Sequence, residues 1–336
     1  MQDQSLLKKI QGGLYGQALG DAWAMPALLR PAETWQHFGG WITQFLDAPE
    51  IHPVHRGLRA GQVTDDTEQA MALAESIIAD NGVTVEGVAR AICNWYDRIG
   101  GDASMYVGPS TRRAVQAIKR GVDLYQTGRF GDTNGASMRV SVVGLVHPGD
   151  VDGAVKDAYL SCVPTHNTDV AVSGAAAVAG AVASAMPPDA ELEGIIAAGQ
   201  RAAEMGLTYG TPWMGASIAK RIGIAVEIAR SNRSERERLQ EMYDVIGAGL
   251  AITEAVPCAF GVLVMAEGDP KQTAIYAAGL SGDADTVGAM ACAIAGAWKG
   301  IEAFEPFIVQ QLKAANPALD FDMVAQGLFD LVRRRG

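Results

Sequence analysis

The sequence predicts an all-α protein, and three observations carry that expectation. Hydrophobic residues supply 49% of the chain but aromatics only 7%, so the apolar content rests on Ala, Val, Ile, Leu and Met, the residues of close-packed helices. Apolar positions recur at helical spacing along most of the length. Strand signals are scarce: the one β-branched run, Val140 to Val146, reads as a candidate strand but is short and has no alternating partner nearby.

Taken in order, Leu6, Ile10, Leu14 and Leu19 start an amphipathic helix. Ala27 to Val63, rich in Pro, Gly, His and Trp, reads as a long irregular loop, and long loops in compact domains are often functional. Helical spacing returns over Ala70 to Ile78, Val85 to Trp95 and Thr111 to Ile118, and a second loop follows from Val122 to Gly135. Val172 to Ala185 and Val287 to Ala297 are built from small residues, which let helices approach closely, as the centre of a helix cluster requires. Ile195 to Ala203, Ile218 to Ile228, Tyr243 to Ala251 and Met323 to Val332 repeat the amphipathic pattern, and Arg230 to Glu241 reads as a solvated helix end. No linker or repeat divides the 336 residues, a length open to one large domain or two.

Thirty-eight Asp and Glu against 27 Lys and Arg give a net charge of −11, which repels a phosphate backbone and argues against nucleic acid as a partner. Cys93, Cys162, Cys258 and Cys292 are far apart, show no zinc spacing, and read as reduced, buried residues of a cytoplasmic protein. Met1 to Gln11 lacks the apolar core of a secretory signal. Val170 to Pro188 is uncharged but too rich in Ala, Gly and Ser for a membrane span, so no membrane partner is expected.

Chemistry concentrates in two clusters. Thr64-Asp65-Asp66-Thr67 precedes a helical run, and Gly282-Asp283-Ala284-Asp285-Thr286 precedes another. Asp65 as a helix cap, with Glu68 closing a capping box, explains the first cluster alone, but a cap needs only one Asp. Two paired-carboxylate clusters with adjacent hydroxyls offer hard oxygen ligands, which suit Mg²⁺ or Mn²⁺ rather than zinc. Gathered in one place, four aspartates would be driven to take up protons. Two divalent cations resolve that conflict, and such a pair can share a bridging water and clamp vicinal hydroxyls. The clusters lie at opposite ends of the chain, so their meeting requires one large domain, 1–336.

Three further segments join the clusters in order: Gly16-Gln17-Ala18-Leu19-Gly20-Asp21-Ala22 with Pro26, Thr133-Asn134-Gly135-Ala136-Ser137-Met138-Arg139, and Pro164-Thr165-His166. Together the five motifs resemble those of ADP-ribosylglycohydrolases of the dinitrogenase reductase-activating type, over about residues 10 to 300. The resemblance implies a single orthogonal helical bundle with a binuclear Mg²⁺ or Mn²⁺ site. It assigns Thr64, Asp65, Asp66, Asp283, Asp285 and Thr286 as metal ligands, with Asp65, Asp66 and Asp285 at the catalytic centre and Asp285 shared between metals. It implies that Asn134, Gly135, Ala136, Ser137 and Met138 hold the phosphate and ribose of the ligand, as a Gly-rich turn with exposed N–H groups can. His166 matches a position beside the ligand, although a lone His is also a common hydrogen-bonded core residue. Asp21 falls in the first motif, among the positions nearest the substrate, yet after Gly20 it equally suits the anchoring of a buried turn. Trp23 and Tyr106 read either as core aromatics or as stacking platforms for a base.

The chain departs from the family pattern at Ala24, Ser281 and Ala284, and at Leu28, where a Glu near the scissile ribose is usual. The loss of that Glu leaves the general acid or base unassigned, with Glu33 the nearest carboxylate downstream. Gly108-Pro109-Ser110-Thr111 and Ser161 to Asp169 are similar to a nucleosidase-like bacterial subgroup. Three functions follow as expectations: hydrolysis at the anomeric carbon of ribose in an ADP-ribosyl conjugate, small or protein-borne; cleavage of a nucleoside or small ribosylated base; or silent ligand binding. The expected assembly is a monomer or homodimer.

Overall fold

The computed structural model describes residues 2–335. Seventeen α-helices follow one another: α1 (Gln2–Ala24), α2 (Pro31–Phe38), α3 (Asp65–Ala79), α4 (Val85–Arg98), α5 (Pro109–Lys119), α6 (Leu124–Thr127), α7 (Ser141–Leu145), α8 (Val151–Cys162), α9 (Asp169–Ala185), α10 (Leu192–Gly206), α11 (Ile218–Ala229), α12 (Glu235–Val245), α13 (Ile252–Met265), α14 (Pro270–Leu280), α15 (Ala284–Lys299), α16 (Pro306–Ala315) and α17 (Phe321–Arg335). Among the described residues there is no β-strand, only the isolated bridges Thr133–Ala251 and Thr168–Thr211. The all-α expectation holds, and the architecture is a large helical bundle.

The bundle is organised by an antiparallel pair, α1 against α15, whose backbones touch at glycines. A Cβ on Gly12 would lie 2.2 Å from the Gly296 carbonyl oxygen, one on Gly16 2.0 Å from that of Cys292, and one on Gly20 1.9 Å from that of Gly288. Four-residue spacing puts Gly12, Gly16 and Gly20 on one face of α1, and only that stripe permits such an approach. The α9 helix, apolar all round and buried along nearly its whole length, packs against α10, α8, α7 and α15, as expected for a helix at the centre of a protein.

Four local expectations are corrected. Val140 to Val146 is not a strand: it contains α7, with Val140, Val142, Val143 and Leu145 fully buried and Gly144 against the Ala179 carbonyl. Packing on all sides overrode β-propensity there. Tyr243 to Ala251 is not one helix. The α12 helix ends at Val245, and Gly247, with φ 91°, turns the chain before α13. The loop from Ala27 to Val63 contains α2, started by Pro31 and stopped by the left-handed Gly39. Cys93 is only half-buried, whereas Cys162, Cys258 and Cys292 are buried; all four are free thiols. No described helix is long and apolar enough to cross a membrane.

Candidate metal centre

Three helix ends meet at the centre of the molecule. Close packing of α1 on α15 brings the last turn of α1, with Asp21, beside the first turn of α15, with Asp285. The third end is the N-terminus of α3, which Asp21 itself secures. Its carboxylate accepts from Thr64 N at 3.1 and 3.0 Å, from Thr67 N at 3.1 Å and from Thr67 Oγ1 at 2.6 Å. Asp21 thus caps a helix from another element, satisfying N–H groups that α3 cannot pair internally. Within α3 the N-cap is Thr64, not Asp65, and Glu68 closes no capping box but accepts from Trp95 Nε1 at 2.7 Å.

Ligand oxygens of Asp21, Asp66 and Asp285 lie within 4.8 Å of one another, and all three residues are buried. Asp66 Oδ2 accepts from Thr64 Oγ1 at 3.0 Å, while Asp66 Oδ1 is buried without any partner. Asp65 accepts from Gln69 Nε2 at 3.1 Å. Asp283 accepts from the Asn134 side-chain amide and donates its backbone N–H to Ala248 O at 2.7 Å. Leading into α15, Ser281 has φ 66° and ψ −165°, a region almost reserved for glycine and costing about 1–3 kcal/mol. Ser281 Oγ donates to Thr34 Oγ1 at 2.7 Å, and Gly282 N donates to Leu28 O at 3.1 Å. These bonds hold the strained turn, and Ser281 accordingly stands where glycine is usual.

Burial raises every carboxyl in the cluster above its ordinary range. Asp21 rises to about 7, first through burial and then through Asp285, with the Thr67 and Thr64 bonds opposing. Asp283 rises to about 7 for the same two leading reasons, and Asp285 to about 6 through burial. Asp65 and Asp66 are pushed well up by burial and then by Asp285. So many buried carboxyls with an orphaned oxygen must hold protons or meet a cation. The donors, carboxylate and hydroxyl oxygens, suit a hard divalent ion such as Mg²⁺ or Mn²⁺.

Above the cluster opens a cavity of about 590 Å³, bordered by Asp65, Asp66, Asp283, Asp285 and Thr286. A wider hollow of about 920 Å³ adjoins it and shares Asp65, His52, Met105 and Tyr106. Asn134, Gly135 and Met138 line the smaller cavity, and the N-terminus of α5 opens onto it through Gly108 and Pro109. Ala136 and Ser137 lie behind that wall, fully buried, with Ser137 Oγ donating to Asn134 O at 2.8 Å.

His166 is also buried behind the wall, hydrogen-bonded to Thr133 Oγ1 at 3.1 Å and Thr165 Oγ1 at 2.8 Å. Its ring supports Gly135 from below, where a Cβ would lie 2.8 Å away. Burial, with Arg139 and Arg113 nearby, lowers its pKa well below the usual histidine range and keeps it neutral. A polar chain links this support to the cluster: Arg139, fully buried, donates to Thr165 Oγ1 at 2.7 Å and Gln69 Oε1 at 2.9 Å, and Gln69 reaches Asp65.

Trp23 is a core residue, edge-on to Phe45 with Nε1 donating to Ile42 O, whereas Tyr106 faces both hollows. Leu28 is buried, and Glu33 is exposed in a separate hollow. Neither restores a carboxylate at the position of the usual Glu. The site also contains residues that the motifs did not single out: His52, His55 and Glu254. His55 Nε2 lies 3.2 Å from Asp285 Oδ2. The available signal was the loop from Ala27 to Val63, which contains both His52 and His55.

An orthogonal helical bundle with a buried carboxylate cluster at the meeting of three helix ends, floored beneath a Gly-rich turn, defines a recognisable class. The family model for ADP-ribosylglycohydrolase matches residues 2–336. The chain is 36% identical over 326 residues to the uncharacterized protein YegU of Escherichia coli K12, covering 96% of each. It is 27% identical over 326 residues to the ADP-ribosylhydrolase ARH3 of Homo sapiens, covering 87% of this chain and 85% of that one. A solved structure titled ADP-ribosylglycohydrolase-related protein complex superposes with a TM-score of 0.70 at 21% identity, covering 98% of this chain and 99% of the other. This chain belongs to the ADP-ribosylglycohydrolase family.

Proposed function

We propose that the protein is a metal-dependent glycosyl hydrolase that cleaves the bond at the anomeric carbon of ribose in an ADP-ribosyl conjugate, working as one domain over 1–336. The observation that carries this reading is the convergence of Asp21, Asp66 and Asp285 within 4.8 Å, with Asp66 Oδ1 unpartnered, beneath a substrate-sized cavity. Thr64, Asp65, Asp66, Asp283, Asp285 and Thr286 would hold two Mg²⁺ or Mn²⁺ ions, and Asp21 adds a carboxylate the motifs had placed with the substrate. Such ions supply Lewis-acid polarisation and a water of lowered pKa.

The chain's own residues do the rest. The carboxylates stabilise positive charge developing at an oxocarbenium-like ribose centre. The Asn134–Gly135 turn and the start of α5 line the cavity where the phosphates would sit. Since Asn134 N–H is taken by Leu250 O at 3.0 Å, polar contact there falls to the Asn134 amide, the Thr111 hydroxyl and the remaining backbone N–H groups. His166, through Thr133 and beneath Gly135, fixes that turn, and Tyr106 borders both hollows.

A second reading, cleavage of a nucleoside or small ribosylated base, is favoured by one feature: no Lys or Arg lines the 590 Å³ cavity, so a pyrophosphate there would meet no cationic side chain of that type. Turnover of ADP-ribosylated arginine and serine peptides, O-acetyl-ADP-ribose and common nucleosides, each with Mg²⁺ or Mn²⁺ and with chelator, tests both. Chelator-sensitive release of ADP-ribose supports the first reading, chelator-sensitive nucleoside cleavage the second, and chelator-insensitive turnover refutes the mechanism.

A further inference from the structure

His55 and Asp285 confront each other with lone pairs. His55 Nδ1 lies 3.1 Å from the Met25 carbonyl oxygen, which can only accept, so the ring hydrogen sits on Nδ1. In the neutral ring Nε2 is then bare, and it lies 3.2 Å from Asp285 Oδ2, another acceptor. Two facing acceptors at that distance repel unless something positive is shared between them.

The ring cannot turn away. It stacks between His52, with centroids 4.7 Å apart and planes 20° apart, and Tyr106, at 6.0 Å and 13°. His52 is fixed in its own tautomer: Nδ1 accepts from His55 N at 2.8 Å and Val54 N at 3.2 Å, leaving Nε2 to donate to Ala27 O at 2.9 Å. Flipping the His55 ring would forfeit the Met25 bond. Both rings are largely buried, with one edge on the cavity.

We propose that His55 Nε2 is a nitrogen ligand to one divalent cation of the site, sharing that ion with Asp285. The proposal rests on the metal-dependent reading above and adds an imidazole to an otherwise all-oxygen ligand set. The Met25 carbonyl plays the part that a backbone acceptor commonly plays for a metal-binding histidine, fixing the tautomer that leaves the other nitrogen free. A nitrogen donor biases the site away from Mg²⁺ and towards first-row transition ions. The donor comes from the 50s stretch of the loop that precedes α3.

Pulsed electron paramagnetic resonance on the Mn²⁺-loaded full-length protein tests this without reference to turnover. The wild type should show modulation from a directly coordinated ¹⁴N, and His55→Gln should lose it while retaining the wild-type circular dichroism. By calorimetry, His55→Gln should weaken Mn²⁺ at least as much as the ~10–100-fold that loss of an outer-shell partner costs, and Mg²⁺ distinctly less. Bound Mn²⁺ with no ¹⁴N coupling in the wild type overturns the proposal and leaves the metal reading intact. No Mn²⁺ binding at all overturns both.

Discussion

Gly20 and Gly288 are in backbone contact: a Cβ on Gly20 would stand 1.9 Å from the Gly288 carbonyl oxygen, and one on Gly288 2.4 Å from that of Gly20. This contact, one residue before Asp21 and three after Asp285, sets how closely the two carboxylates approach. Gly20→Ala should therefore destabilise the fold by at least the ~1–3 kcal/mol typical of overpacking and weaken divalent-cation binding as well. Gly194→Ala, on α10 with open space around its Cα, is the control. It should leave stability unchanged or raise it by up to about 1 kcal/mol. Denaturant titration and calorimetry read both variants.

Asp285 pushes up the carboxyls of Asp21, Asp65, Asp66 and Asp283. Replacing it with the near-isosteric Asn should lower turnover at least ~10²–10³-fold, the scale of losing one preorganised electrostatic contact. The same Asp285→Asn change should raise the melting temperature of the chelator-treated protein, because a buried like charge is removed. Wild-type activity in this variant would sink the site assignment.

Metal-free protein should lose stability as pH rises. In the folded state Asp21 and Asp283 titrate near 7 and Asp285 near 6, against about 3.9 for an unfolded Asp. Below pH ~4 these groups are protonated in both states and the cluster carries no penalty. Between ~4 and ~7 the unfolded chain gives up protons that the folded one retains, so stability falls through that window, and Asp65 and Asp66, held well above the ordinary carboxylate range, extend the fall towards higher pH. Melting curves in chelator should show the decline, and saturating Mn²⁺ should offset it increasingly towards high pH. A flat profile in chelator would contradict the electrostatic account of the cluster.

If the Asn134–Gly135 turn and the α5 N-terminus hold phosphates, ADP-ribose should protect the metal-loaded protein from thermal unfolding, by about 2.7 kcal/mol at a hundredfold excess over Kd. Adenosine at the same concentration should protect far less. Equal protection by both would favour the nucleosidase reading.

Much of the site was legible because its signals are local. Thr64 to Thr67 and Gly282 to Thr286 each carry more carboxylates than a helix cap requires, and the small-residue run of α15 announces a close helix contact. Asp21 was harder to read, since its role depends on Thr64 and Thr67, which only the tertiary fold brings within reach. Nothing local to His55 shows that its ring will be aimed at Asp285, because the path of the 50s loop decides it. The misread elements have different causes. Val140 to Val146 looks like a strand until burial on every side holds it as α7, and Tyr243 to Ala251 keeps helical spacing across a turn made by Gly247.

Anomalous diffraction from crystals equilibrated with Mn²⁺ tests most directly whether the three helix ends build a metal centre. The account predicts strong peaks against Asp66 and Asp285, one of them within bonding distance of Asp66 Oδ1. A cluster without anomalous density at saturating Mn²⁺, or peaks confined to surface carboxylates, would contradict it.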